Sequence, residues 1–172
     1  MQASVKQIVE TDITRLRPWI AVAAVVGALL LQAYLPQFLS YANLVDLPLL
    51  VTIYLALLRR NPVIGLSIGV GVGLAQDSLS NGPIGMYGIL KTIIGYICSS
   101  LTLVIAVESL AARVVLVWGL YLIHQAGFWV IGRVLLVDSA EFAWQRMLLL
   151  AFVNGGVALL LYRFLDKFQE SI

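Results

Sequence analysis

The chain has 172 residues, of which 61% are hydrophobic and 12% charged. A soluble domain is nearer a quarter charged, and one of this size has no way to screen so much apolar surface from water. The formal net charge of +2 leaves no basic stripe for nucleic acid, and a lone cysteine, Cys98, excludes an internal disulfide framework.

Composition therefore predicts an all-α integral membrane protein. Residues Met1 to Arg17 are mostly polar. No cleavable signal peptide is expected, because the first apolar run is too long for a signal h-region. Val5, Ile8, Val9, Ile13 and Leu16 recur at helical spacing among Lys6, Glu10 and Arg15. That pattern fits a short amphipathic helix on the inner membrane surface; the alternative is a frayed cytoplasmic tail.

A transmembrane helix needs roughly twenty apolar residues. The sequence predicts six, in a single transmembrane domain over residues 1–172. The first covers 19–35 and stops at Pro36; the second, short, covers 44–58. A basic turn, Arg59-Arg60-Asn61-Pro62, leads into the third, 63–79. Ser80-Asn81-Gly82-Pro83 is a turn before the fourth, 84–107, with Pro83 suited to a first helical position. After a break at Glu108-Ser109 the fifth covers 110–131. Asp138 and Glu141 have capping-box spacing ahead of the sixth, 142–165.

Basic residues set the orientation. With the N-terminus inside, eight lie on the inner side: Lys6, Arg15, Arg17, Arg59, Arg60, Arg113, Arg163 and Lys167. Two, Arg133 and Arg146, lie outside, and Lys91 is within a helix. Six spans then place both termini in the cytoplasm. Trp19, Tyr34, Tyr87, Trp129, Trp144 and Tyr162 fall near the predicted interfaces. The outer loops are short, so function must reside in the membrane or in lateral contacts.

Several residues inside this frame need an explanation. Gly65, Gly69 and Gly73 lie four apart on one face of the third helix, with Ser67, Gly71 and Ala75 on an adjacent face. Such spacing lets backbones approach closely. It serves either the protein's own bundle, the favoured reading, or a partner's helix. Asp77 and Lys91 lie in apolar surroundings, where a charge costs about 2.5–3.5 kcal/mol on insertion scales. Side chains tilt toward their helix N-terminus, so both lean to one level, and a salt bridge clasping the hairpin is expected. Separate exposure at the outer interface and a polar ligand or partner site are the alternatives. His124, Gln125 and Asn154 are read as interhelical hydrogen-bonding groups. A proton relay would need an acid beside the histidine.

Gly65-Leu66-Ser67-Ile68-Gly69 matches G-x-S-x-G, which signals a nucleophile only on a strand-to-helix elbow. Ser67 lies about 7 Å from the inner end of its helix and His124 about 20 Å from that of its own. That depth difference argues against an intramembrane serine protease. No H-E-x-x-H, paired aspartates or nucleotide loop occurs. No enzymatic activity and no cofactor are expected.

The segment Gly73-Leu-Ala-Gln-Asp77-Ser-Leu-Ser-Asn-Gly-Pro-Ile-Gly85-Met-Tyr-Gly-Ile-Leu-Lys-Thr-Ile-Ile-Gly95-Tyr96 resembles the signature region of the rod-shape-determining MreD family. Asp77, Gly85, Gly95 and Tyr96 carry the match, supported by Asn154-Gly155, chain length and bare loops. Where that family often has Pro-Asp before its second helix, this chain has Val45-Asp46-Leu47-Pro48, and Lys91 stands outside the pattern. The fold implied is a six-transmembrane-helix bundle similar to the substrate-binding subunits of energy-coupling-factor transporters. The role implied is a non-enzymatic scaffold of the cell-elongation machinery in the bacterial inner membrane. Its partners would be an MreC-like periplasmic protein and a peptidoglycan glycosyltransferase–transpeptidase pair, RodA-like with a class B penicillin-binding protein. MreB filaments would be reached indirectly, membrane lipid would surround the bundle, and nucleic acid plays no part. Partner or structural contacts would fall on Asp77, Gly85, Lys91, Gly95, Tyr96, Asn154 and the Gly65, Gly69, Gly73 face. The alternative function is a vitamin-binding subunit of such a transporter, with Ala24-x-x-x-Ala28 as its small-residue contact.

Overall fold

The computed structural model describes residues 15–39, 44–80, 82–105, 107, 109–135 and 143–170. Among these residues six helices form: α1 (Pro18–Phe38), α2 (Leu47–Leu58), α3 (Pro62–Leu79), α4 (Met86–Leu101), α5 (Leu110–Leu135) and α6 (Trp144–Asp166). Four, at Pro18–Phe38, Pro62–Leu79, Leu110–Val134 and Trp144–Asp166, are long and apolar enough to cross a membrane. The two-residue strands β1 (Arg15–Leu16) and β2 (Gln169–Glu170) pair antiparallel. They bring the start of α1 and the end of α6 to the same end of the bundle.

Helix α2 organises the rest. At 1.5 Å per residue, its 12 residues reach about 18 Å, well short of a hydrocarbon core of about 30 Å. It is instead the central element, buried continuously from Pro48 to Ala56. A helix apolar on every side is a core helix. Its direction fixes the others. Asp46, Leu50 and Tyr54 bond in turn to Asn154, Tyr162 and Asp166, so α2 and α6 run parallel. Lys91 reaches Asp46 at one end and Ser99 Oγ donates to the Ala56 carbonyl at 2.9 Å at the other, which lays α4 parallel to them. Helices α3 and α5 run opposite.

The α3–α4 hairpin is the closest contact in the bundle. A Cβ added at Gly65 would overlap Ser99 and the Gly95 backbone, and at Gly69 the Lys91 backbone. At Gly73 it would come within 2.6 Å of Gly88 Cα. Gly95 meets the Gly65 backbone in return. The glycine face is therefore buried inside this protein's own bundle. On the adjacent face Ser67 and Gly71 are exposed, and nothing lies within 4 Å of a Cβ added at Gly71.

Several element ends differ from the sequence expectation. Helix α1 continues through Pro36 to Phe38, since a proline in the last turn loses a single backbone bond. Helix α2 starts at Leu47 because Asp46 caps it. Helix α4 stops at Leu101 and passes into turns, whereas α5 extends to Leu135. Helix α6 starts at Trp144. The expected capping box at Asp138 and Glu141, and the amphipathic segment before Arg15, lie outside the described residues.

Candidate functional site

The site is assembled at the N-terminus of α2. Asp46 precedes Leu47-Pro48, an order suited to a cap, because the side chain can satisfy free N–H groups where proline has none to offer. Its Oδ1 accepts from Leu49 N at 2.9 Å. Two polar side chains hold the same backbone: Asn154 Oδ1 accepts from Asp46 N at 2.9 Å, and Gln32 Oε1 accepts from Leu47 N at 3.0 Å. Asn154 Nδ2 also donates to the Leu44 carbonyl at 2.9 Å. Helices α1 and α6 thus fasten the start of α2.

Lys91 of α4 reaches this cap. Its Nζ lies 3.1 Å from Asp46 Oδ1 and 2.9 Å from Oδ2, with the lysine side chain 0% exposed. The same Nζ sits 5.2 Å from the Tyr87 ring centroid. A buried ammonium persists only when paired and hydrogen-bonded, and Asp46 supplies both.

The expected Asp77–Lys91 salt bridge does not form. Asp77 accepts from the backbone of α4 instead: Tyr87 N at 3.0 Å and Gly88 N at 2.8 Å. The four first N–H groups of a helix have no intrahelical partner. Gly85, at φ 95°, turns the chain so that these amides face α3, and a left-handed residue with no Cβ adopts that turn without strain. A carboxylate facing a helix N-terminus also meets the positive end of the helix dipole.

His124 of α5 completes the group. Its side chain is 2% exposed, and Nε2 lies 4.0 Å from Asp46 Oδ2. Neither ring nitrogen has a hydrogen-bond partner. Tyr87 and Phe128 flank the ring at centroid distances of 6.5 and 6.2 Å. Of the three residues expected to bond between helices, Asn154 does so. Gln125 donates to Tyr121 on its own helix at 3.0 Å, and His124 makes no hydrogen bond between helices. Ser67 Oγ donates to the Val63 carbonyl at 2.9 Å, far in sequence and contact from His124.

A second polar group closes the other end of α2. Tyr54 OH donates to Asp166 Oδ1 at 2.9 Å, and Arg113 pairs with the same carboxylate at 3.0 Å. Gln169 donates to Tyr54 OH at 2.8 Å. Tyr96, by contrast, is 50% exposed on the outer face of α4. Among the described residues no cluster of three His, Cys, Asp or Glu side chains is placed to hold a metal.

Sequence reasoning missed Asp46, which fell inside the second expected span, 44–58, and was given no role there. The order Asp46-Leu47-Pro48 was the available signal, since it marks a helix start. Gln32, Tyr54 and the Arg113–Asp166 pair offered no such local signal. Comparison with protein-family models, curated proteins and solved structures gives no match, so the reading of this site rests on its own geometry.

Proposed function

We propose that this chain is a non-catalytic membrane scaffold of the bacterial cell-elongation machinery, of the MreD kind. It spans the inner membrane six times with both ends in the cytoplasm. The observation that supports this reading is the use made of the MreD-like hairpin residues. Asp77 caps α4, Gly85 makes the turn, Gly95 seats against Gly65, and Tyr96 is left facing outward. Three of the four build a rigid hairpin and the fourth is free for a partner. That division suits a binding scaffold.

The alternating helix directions and the paired ends support six crossings, with α2 and α4 inserted at less than full length. The excess of basic residues toward the end shared by Arg59, Arg113 and Lys167 supports that end as cytoplasmic.

The test is purification in mild detergent from the native host, with identification of co-purifying proteins. An MreC-like periplasmic protein is expected, and Tyr96→Ala is expected to reduce its recovery while leaving the fold intact. Depletion is expected to round a rod-shaped host. A bound vitamin without any cell-wall partner would replace the scaffold reading with that of a transporter subunit.

A further inference from the structure

We propose that His124 is a second, proton-dependent counter-ion for Asp46, making the cap of α2 a proton-binding site within the membrane. This goes beyond the scaffold reading and does not depend on it.

Three observations converge on the gap between the two residues. The imidazole is buried at 2% exposure with both ring nitrogens unpartnered. Burying a donor or acceptor without a partner is unfavourable, so the ring has a standing need for a ligand. Asp46 Oδ2 accepts one hydrogen bond, from Lys91, whereas Oδ1 accepts two. A carboxylate oxygen has two lone pairs, and the less used oxygen is the one His124 Nε2 faces at 4.0 Å. A charge-assisted N–H to O bond forms at about 2.7–2.9 Å, so a shift of roughly an ångström closes the gap.

The charges around the ring act in opposite directions: the Asp46 carboxylate favours a proton on it and the Lys91 ammonium opposes one, so Lys91 controls the step. Asp46 and Lys91 face it from α2 and α4, and Tyr87 of α4 stacks beside it. Asp77 of α3 acts on Lys91 and Tyr87. On its own helix Gln125 acts on the ring and donates to Tyr121, and Arg146 of α6 acts on Tyr121. From α1 and α6 the groups holding the cap are the uncharged Gln32 and Asn154. With Asp77 held by two α4 amides, Asp46 is the carboxylate that faces the ring, and a proton on His124 gives it a second counter-ion beside Lys91. The proton comes from water and adds to a neutral ring nitrogen, and no other bond breaks. Asp46 caps α2, and its own amide is held by Asn154. A change of partner at Asp46 is therefore felt at the start of the central helix and on α6.

His124 is the sole histidine, so ring-15N labelling of the full chain, purified without a histidine tag into lipid nanodiscs, gives one pair of resonances. A neutral ring shows two widely separated values and an imidazolium two nearly equal ones. At pH 7 the expected result is a neutral ring in the wild type and an imidazolium in Lys91→Gln, where Asp46 has lost its ammonium. The ring is expected to return to neutral in Lys91→Gln/Asp46→Asn. A neutral ring in Lys91→Gln down to pH 5 overturns the proposal. Should that variant not fold, acidification of the wild type decides: an imidazolium by pH 5 that is absent from Asp46→Asn supports the site, and a ring neutral at pH 5 overturns it.

Discussion

Lys91 Nζ and the Asp46 carboxylate meet at 2.9 Å, joining the second turn of α4 to the cap of α2. One contact therefore does two things: it neutralises a buried ammonium, and it sets where the central helix begins. Removing one partner of a buried pair costs about 3–5 kcal/mol, because the other charge is left unpaired. Asp46→Asn and Lys91→Met are each expected to destabilise by about that much in detergent unfolding titrations. The double variant should lose clearly less than the sum. Strict additivity would show that the two side chains do not stabilise each other.

Asp77 should behave differently. It holds two backbone amides of α4 and not an ammonium. Asp77→Asn keeps one acceptor but turns an amide NH2 toward the second N–H, so a loss of about 1–3 kcal/mol is expected. Combined with Lys91→Met, the coupling should be much smaller than that between Asp46 and Lys91, because Asp77 acts on the ammonium only through space. A strong coupling between Asp77 and Lys91 in the double-mutant cycle would restore the hairpin salt bridge.

These two cases show what was legible in the sequence. Helix number and order followed from apolar runs and turn residues, because lipid forces backbone polar groups into helices. Depth and lean led to an expected Asp77–Lys91 pair, which does not form. They did not reveal that α2 starts at an Asp46 cap, which brings a second acid to Lys91. Competition between two carboxylates for one ammonium is decided by what else each can bond. Asp77 has free amides waiting at α4, whereas Asp46 has one at Leu49 and capacity to spare. That depends on tertiary placement, which periodicity does not carry. The glycine face was legible as a packing surface, but its neighbour, α4, became definite only with the Lys91 and Gly95 backbones against it.

The orientation is testable with introduced cysteines, since the native Cys98 is wholly buried and should stay silent. Gly82→Cys, exposed in the α3–α4 turn, is expected to react with a membrane-impermeant thiol reagent in intact cells. Lys167→Cys, exposed just beyond α6, is expected to react only after the cells are opened. Reaction at Lys167→Cys in intact cells, with none at Gly82→Cys, would invert the bundle.

The α3–α4 contact yields the sharpest contrast, because two glycines two residues apart face different surroundings. A Cβ at Gly69 runs into the Lys91 backbone, which has no side-chain freedom with which to yield. A Cβ at Gly71 meets nothing within 4 Å. Overpacking typically costs about 1–3 kcal/mol, and more where backbone must move. Gly69→Ala is therefore expected to destabilise by at least that amount, and Gly69→Leu to prevent assembly of the hairpin. Gly71→Ala should be neutral or slightly stabilising, since alanine is the better helix former by about 1 kcal/mol. Ser67→Ala should be near neutral as well, because its hydroxyl bonds only the Val63 carbonyl one turn back and is exposed. Thermal unfolding of the four variants in one detergent reads the order directly. If Gly69→Ala and Gly71→Ala unfold together, the close approach of α3 and α4 at Lys91 is wrong. If Gly71→Ala is stable yet lowers recovery of a partner, the exposed face of α3 takes part in that contact.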